Sequence, residues 1–193
     1  MADTDKALFL WINSLVGSFE LFDRAIEWVV SDYMIPASMT LVLVGLWFVG
    51  KDGFTRNKYQ IGVLTALSSM ALSSGAVFVI NAVYFRPRPF ENHEVSMLFY
   101  QPTDSSFPSN SAAATFAIAA AVWGVNRRVG SILFATATVY GFARIYAGVH
   151  YPLDIGASAL IAVIVTSLVY KGKHLIEPLP TIVIKAARIL CLA

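Results

Sequence analysis

Arg144, His150 and Asp154, in the spacing Arg-x5-His-x3-Asp, form the most chemically specific cluster in this sequence. Pro152 suits the first turn of a helix, so His150 falls just ahead of a helix and Asp154 within its opening turn. A carboxylate there can accept the imidazole Nδ1 proton and leave Nε2 as a nucleophile, and a helix N-terminus favours a bound anion. For these residues alone, an interfacial histidine beside a capping aspartate is the plainer reading. Two further polar clusters tip the balance, Arg86-Pro87-Arg88-Pro89 and Pro108-Ser109-Asn110-Ser111. Arg88, fixed between prolines, offers a fork for two phosphate oxygens, whereas Arg86 reads better as an anchor at lipid headgroups. Ser109 either caps a helix opening after Pro108 or gives its hydroxyl, with nearby N–H groups, to an anion; both roles are compatible. Arginines, a hydroxyl and an oriented histidine are the parts needed to hold a phosphate and attack it.

These groups punctuate an oily chain. Of its 193 residues, 57% are hydrophobic and 13% charged, with a mean hydropathy of +0.66. Soluble domains carry about 25% charged residues, so half that share implies a lipid solvent. The net charge of +2 is too small and scattered for a nucleic-acid partner. Cys191, the single cysteine, cannot form an internal disulfide, and it stands one place too late for a prenylation box. The opening Met1-Ala2-Asp3-Thr4-Asp5-Lys6 is acidic and lacks the basic front of a signal peptide.

Apolar runs at 34–50, 61–83, 108–125, 129–148 and 153–170 predict five membrane spans. Residues 7–30 carry Glu20, Asp23, Arg24 and Glu27, yet Leu15, Phe19, Phe22, Ile26 and Val29 recur at helical spacing. That stretch fits an amphipathic helix at the interface or a sixth, poor span. The expected fold is therefore an all-α, polytopic membrane helix bundle in a single domain over 1–193. Residues 1–31 form its N-terminal amphipathic region, 33–172 its helical core and 173–193 a cytoplasmic tail.

Loop charge gives the orientation. Lys51, Arg56 and Lys58, then Arg127 and Arg128, then Lys171 and Lys173 share one face if the spans alternate. The positive-inside rule makes that face cytoplasmic. Arg86, Arg88, Arg144 and the 108–111 segment fall on the other, so the polar clusters meet at the extracytoplasmic face of the cytoplasmic membrane.

The order Arg-Pro, then Pro-Ser, then Arg-x5-His-x3-Asp resembles the type 2 phosphatidic acid phosphatase superfamily. The run Tyr84-Phe85-Arg86-Pro87-Arg88-Pro89-Phe90 and the short chain are most similar to its bacterial undecaprenyl-diphosphatase branch. The likeness spans about 33–172 and implies a helical bundle, no metal, no cofactor and a phosphohistidine intermediate. By position it makes His150 the nucleophile and Asp154 its orienter, with Arg88, Ser109, Arg144 and the Asn110 backbone as phosphate ligands.

Three positions depart from the family pattern. Asn81 stands where the family has a lysine, which weakens phosphate binding there, and Ala143 replaces a serine before Arg144. Ser111 stands where the family has the histidine that protonates the leaving group. Positioned general acids contribute roughly 10²–10⁴-fold, and serine is a poor proton donor near neutral pH. His93 lies in the outer loop, where a solvated role is expected, and His174 lies beyond the last run on the wrong face.

The missing acid bears on substrate. A lipid monophosphate expels an alkoxide, whose conjugate acid has a pKa near that of bulk water, about 15.7. A prenyl diphosphate expels a phosphate monoester whose second pKa is about 6, so it leaves without a proton. The sequence thus points to a polyprenyl diphosphatase. The alternatives are a catalytically impaired protein that binds lipid phosphate, or a phosphatidate or phosphatidylglycerophosphate phosphatase. A channel or carrier ranks last, because no repeat symmetry or further buried charge marks the spans.

Overall fold

A computed structural model describes residues 2–172 and 178–189. The described residues form helices α1 (Ala2–Asn13), α2 (Glu20–Val30), α3 (Met34–Phe48), α4 (Gly53–Val83), α5 (Pro89–Asn92), α6 (Asn110–Val125), α7 (Arg127–Tyr146), α8 (Pro152–Gly172) and α9 (Pro178–Ile189). The all-α bundle expected from the sequence is the fold observed, and its five apolar runs become α3, α4, α6, α7 and α8. His174, Cys191 and Lys173 lie outside the described residues, as do parts of the expected tail.

The helix starts follow from local chemistry. Asp52 accepts from the Thr55 N–H at 2.8 Å ahead of α4, and Ser109 from the Ala112 N–H at 3.4 Å ahead of α6. Asn126 is the only residue between α6 and α7, and its side chain accepts from the Arg128 and Val129 N–H groups at 3.1 and 3.2 Å. So short a link forces α6 and α7 to run antiparallel.

α6 is the central helix, packed against α4, α7 and α8. It is apolar over most of its surface, as a largely enclosed helix should be. Its buried Ala112, Ala113, Ala117, Ala119 and Ala121 let neighbouring backbones approach closely. Gly130 shows how tight this is, because a Cβ there would sit 2.2 Å from the Trp123 Cα. The outward faces carry exposed Leu41, Phe78, Leu160, Ile164 and Leu168, an apolar exterior suited to lipid.

By length and composition α4, α7 and α8 can cross a membrane, α2 with α3 adds a fourth candidate bent by 55°, and α6 is a shorter apolar helix. With 16 residues α6 reaches about 24 Å at ~1.5 Å per residue. One expectation needs correction, because the stretch 7–30 is not one helix. The chain breaks at 14–19, where Gly17 takes a φ of +88°, and α1 and α2 are separate short helices packed against α7.

Candidate active site

The loop from α7 to α8 is a tight turn that brings Arg144 and His150 to the same cavity. The Ala147 N–H donates to Ala143 O, the Gly148 N–H to Ile145 O and the Val149 N–H to Arg144 O. Gly148 adopts a φ of +85°, a conformation that favours glycine, and a Cβ there would meet the Met97 Sδ at 2.9 Å. The chain is thereby reversed, and His150 and Arg144 both line one cavity.

A cavity of about 160 Å³ at this end of the bundle is lined by Asp32, Arg88, Tyr100, Asp104, Ser109, Asn110, Ser111, Arg144 and His150, with Pro102. Six of the eight site residues named from the sequence therefore converge. Asp154 lies behind His150, fully buried in the first turn of α8. Asn81 is displaced. It lines a neighbouring cavity of about 410 Å³, walled also by Val77, Phe78, Ala82 and Phe85. Asp104 and Asn110 line both cavities.

His150 is 1% exposed, and its two ring nitrogens have unlike partners. Nδ1 lies 2.9 Å from the Ser106 carbonyl oxygen, which can only accept, so Nδ1 carries the proton. Nε2 lies 3.3 Å from Arg88 Nη1, which can only donate, so Nε2 presents its lone pair. Burial, with Arg144 and Arg88 nearby, pushes the imidazole pKa down to about 4 despite the opposing pull of Asp154. The ring is neutral at neutral pH.

The expected direct bond from His150 to Asp154 is absent, at 3.8 Å. The carboxylate is taken up elsewhere. Its Oδ2 accepts from Ser106 Oγ at 2.6 Å and from the Tyr151 N–H at 2.8 Å, and its Oδ1 accepts from Arg86. Ser106 therefore stands between the two, its hydroxyl on Asp154 and its carbonyl on His150.

Arg86 is no headgroup anchor. Besides Asp154 it donates to Asp5 of α1 at 2.7 Å, and its guanidinium lies 4.2 Å over the Tyr151 ring. Asp5 also accepts from the Leu153 N–H at 2.9 Å, so the N-terminal helix braces the start of α8. Asn13 at the other end of α1 donates to Ser96 O and Tyr146 O at 2.8 and 2.9 Å. His93 sits apart from the cavity, edge-on to Tyr151 at 6.5 Å.

Arg88 is 2% exposed and donates from Nε and Nη2 to the Asp104 carbonyl and carboxylate at 2.9 and 2.7 Å, and from Nη1 to Val149 O at 3.1 Å. Burial lowers its pKa while Asp104 opposes that shift. Arg144 donates from Nη1 to Asp32 at 2.8 Å and to Tyr140 OH at 3.1 Å, but its buried Nε has no partner. Ser109 Oγ and Ser111 Oγ lie 3.4 Å apart, which places Ser111 in the cavity wall. Among the described residues no group of three His, Cys, Asp or Glu side chains comes together to hold a metal ion.

Asp5, Asp32, Asp104 and Ser106 were not singled out from the sequence. Asp5, Asp32 and Asp104 lie 149, 122 and 50 residues from Asp154, and only folding brings them near. Ser106 adjoins the Pro108-Ser109 motif, and that proximity was the one available signal.

Residues 62–176 match the PAP2 superfamily. The chain is 30% identical over 173 residues to undecaprenyl-diphosphatase BcrC of Bacillus subtilis, covering 90% of this chain and 83% of that protein. It is similar in structure to LpxE of Aquifex aeolicus, with a TM-score of 0.69, 28% identity, and coverage of 86% of this chain and 93% of the other. A transmembrane PAP2-type phosphatidylglycerolphosphate phosphatase of Bacillus subtilis shares the fold at a TM-score of 0.66 and 18% identity, covering 90% and 86%.

Proposed function

The chain belongs to the PAP2 superfamily, and we propose that it is a membrane lipid phosphatase that converts a polyprenyl diphosphate to the monophosphate. The observation that carries this is the pairing, in one small cavity, of a nucleophile-ready His150 Nε2 with two buried arginines, one of which has an unpartnered Nε. An orphaned buried guanidinium donor is costly unless an anion takes it up. A phosphoryl group seated on Arg88, Arg144 and the N-terminal end of α6 at Ser109 and Asn110 meets that need.

The scheme has two steps. Nε2 attacks the terminal phosphorus, forming an N–P bond as the bond to the bridging oxygen breaks and the lipid monophosphate leaves. The Nδ1 proton stays on the ring, directed to Ser106 O. Water then attacks the phosphohistidine phosphorus, the N–P electron pair returns to Nε2, and inorganic phosphate departs as the dihydrogen anion carrying the water oxygen and both its protons. The arginines balance the equatorial charge, so this reading is metal-independent.

Among the described residues His150 is the one histidine lining the cavity, and the wall position beside Ser109 holds a serine, Ser111. With no imidazole acid, a leaving group that departs unprotonated is favoured, and this supports diphosphate over phosphatidate. The same serine favours the second reading, a silent protein that holds a lipid phosphate. The site lies at the end of the bundle opposite Lys51, Arg127 and Lys171, and the positive-inside rule supports an extracytoplasmic location.

Phosphate release by the purified chain from a polyprenyl diphosphate and from phosphatidate, each with and without a chelator, tests the proposal. Turnover confined to the diphosphate and indifferent to chelator is expected. Binding without release from either lipid would establish the second reading instead.

A further inference from the structure

Each arginine of the cavity already holds a carboxylate. Arg88 donates to Asp104 Oδ1 at 2.7 Å, and Arg144 to Asp32 Oδ1 at 2.8 Å. The arginine side chains are 2% and 4% exposed, whereas those of Asp104 and Asp32 are 65% and 34% exposed. The cations are therefore fixed inside the protein while their partners stand at the water side. Neither carboxylate comes from a core helix. Asp32 lies between α2 and α3, and Asp104 on the segment before α6.

Two positive and two negative charges cancel at this site, and the His150 ring adds none. A phosphoryl group brought against both arginines with both carboxylates in place would meet like charge at hydrogen-bonding range, a costly arrangement. Asp104 loses little by swinging into water, because its side chain is already mostly there. Asp32 is held more firmly, since Tyr100 OH donates to its Oδ2 at 2.7 Å.

Asp104 is also one of two residues lining both this cavity and the apolar one along α4. Its departure would join a seat for a charged head to a groove walled by Val77, Phe78, Ala82 and Phe85. That combination fits a lipid phosphate better than a free ion.

We propose that Asp104 and Asp32 are resident counter-ions occupying the phosphate seat, that a substrate phosphoryl group binds by displacing Asp104 from Arg88, and that the returning carboxylate helps expel inorganic phosphate. This rests on the phosphatase reading above. It makes Asp104 a determinant of anion affinity and not a phosphate ligand.

Binding of radiolabelled inorganic phosphate to the detergent-solubilised full chain tests it without requiring turnover. Asp104→Asn and Asp104→Ser should each tighten phosphate binding by about tenfold or more, and Asp32→Asn by less. Arg88→Ala should abolish binding. Unchanged or weaker binding in both Asp104 variants, with binding still lost in Arg88→Ala, would mean that Asp104 only braces the arginine, and the exchange is then wrong. Phosphate binding that survives Arg88→Ala undiminished would remove the seat itself and the phosphatase reading with it.

Discussion

Every polar side-chain atom of His150 and Asp154 has a protein partner, in a chain running from Asp5 through Arg86, Asp154 and Ser106 to the imidazole. Elsewhere in the cavity lining, Arg144 keeps an unpartnered Nε and both arginines lean on carboxylates that reach the water, Asp104 more than Asp32. The first wall is closed and fixes the orientation and tautomer of one ring before any ligand arrives. The second is built of replaceable contacts, of which the one to Asp104 exchanges at the least cost. A group that must attack along one line needs preorganisation, whereas a seat that must fill and empty needs replaceable partners.

The largest effect that would break this contrast is at His150. His150→Ala should abolish phosphate release while leaving phosphate binding through Arg88 and Arg144, measured on the same preparation. Turnover near the unsubstituted level would remove the proposed nucleophile. Next in size is Ser111→His on the open wall. It should raise initial rates by roughly 10²–10⁴-fold on a lipid monophosphate and by less on a prenyl diphosphate. An equal gain on both would show that position 111 is not where the leaving oxygen sits.

Arg86 tests how firmly the closed wall depends on charge. Arg86→Ala strands the buried carboxylates of Asp5 and Asp154 and should cost about 3–5 kcal/mol. The exposed Arg24–Glu20 pair, at 70% and 81% exposure, should contribute under ~1 kcal/mol when removed by Arg24→Ala. Denaturation in detergent compares the two directly, and equal losses would contradict the packing described.

Asp154→Asn sharpens the account of Ser106. Were Asp154 bonded directly to Nδ1, the wrong tautomer would follow and a loss near ~10⁴-fold would be expected. Because the Ser106 carbonyl sets the tautomer, the expected loss in kcat is only about tenfold, and a far larger one would restore the direct role.

The smallest effect concerns pH. His150 titrates near 4 when folded and near ~6.5 when unfolded. The unfolded chain therefore binds the extra proton first, so stability contributed by the buried neutral ring is present above about 6.5 and falls as pH drops toward 4. The acid limb of kcat/KM due to this ring should likewise lie near 4. A limb near ~6.5 would mean the ring is far more solvated than its surroundings indicate.

Much of the fold is legible in the sequence alone. Apolar runs long enough for helices, Pro152 at the head of α8 and Ser109 at the cap of α6 are local signals, and local backbone chemistry obeys them. The spacing from Arg144 to Asp154 was legible for the same reason, since one turn and one helix start carry it. The break at 14–19 was less so, because helical periodicity across residues 15–30 masked a turn that needed only one glycine at positive φ.

What the sequence determined by itself was an all-helical lipid-facing chain, one end of which gathers arginines, a hydroxyl and a histidine. Only the tertiary structure decided how those groups are partnered. Asp154 turned from His150 toward Arg86, Arg86 from the lipid toward Asp5, and Asn81 toward the apolar cavity. Spacing along a helix constrains which residues share a face, but ion pairs between segments 81 or 112 residues apart depend on where whole helices come to rest. In a buried site each charge must find a partner, and that partner is chosen among neighbours the linear sequence does not reveal.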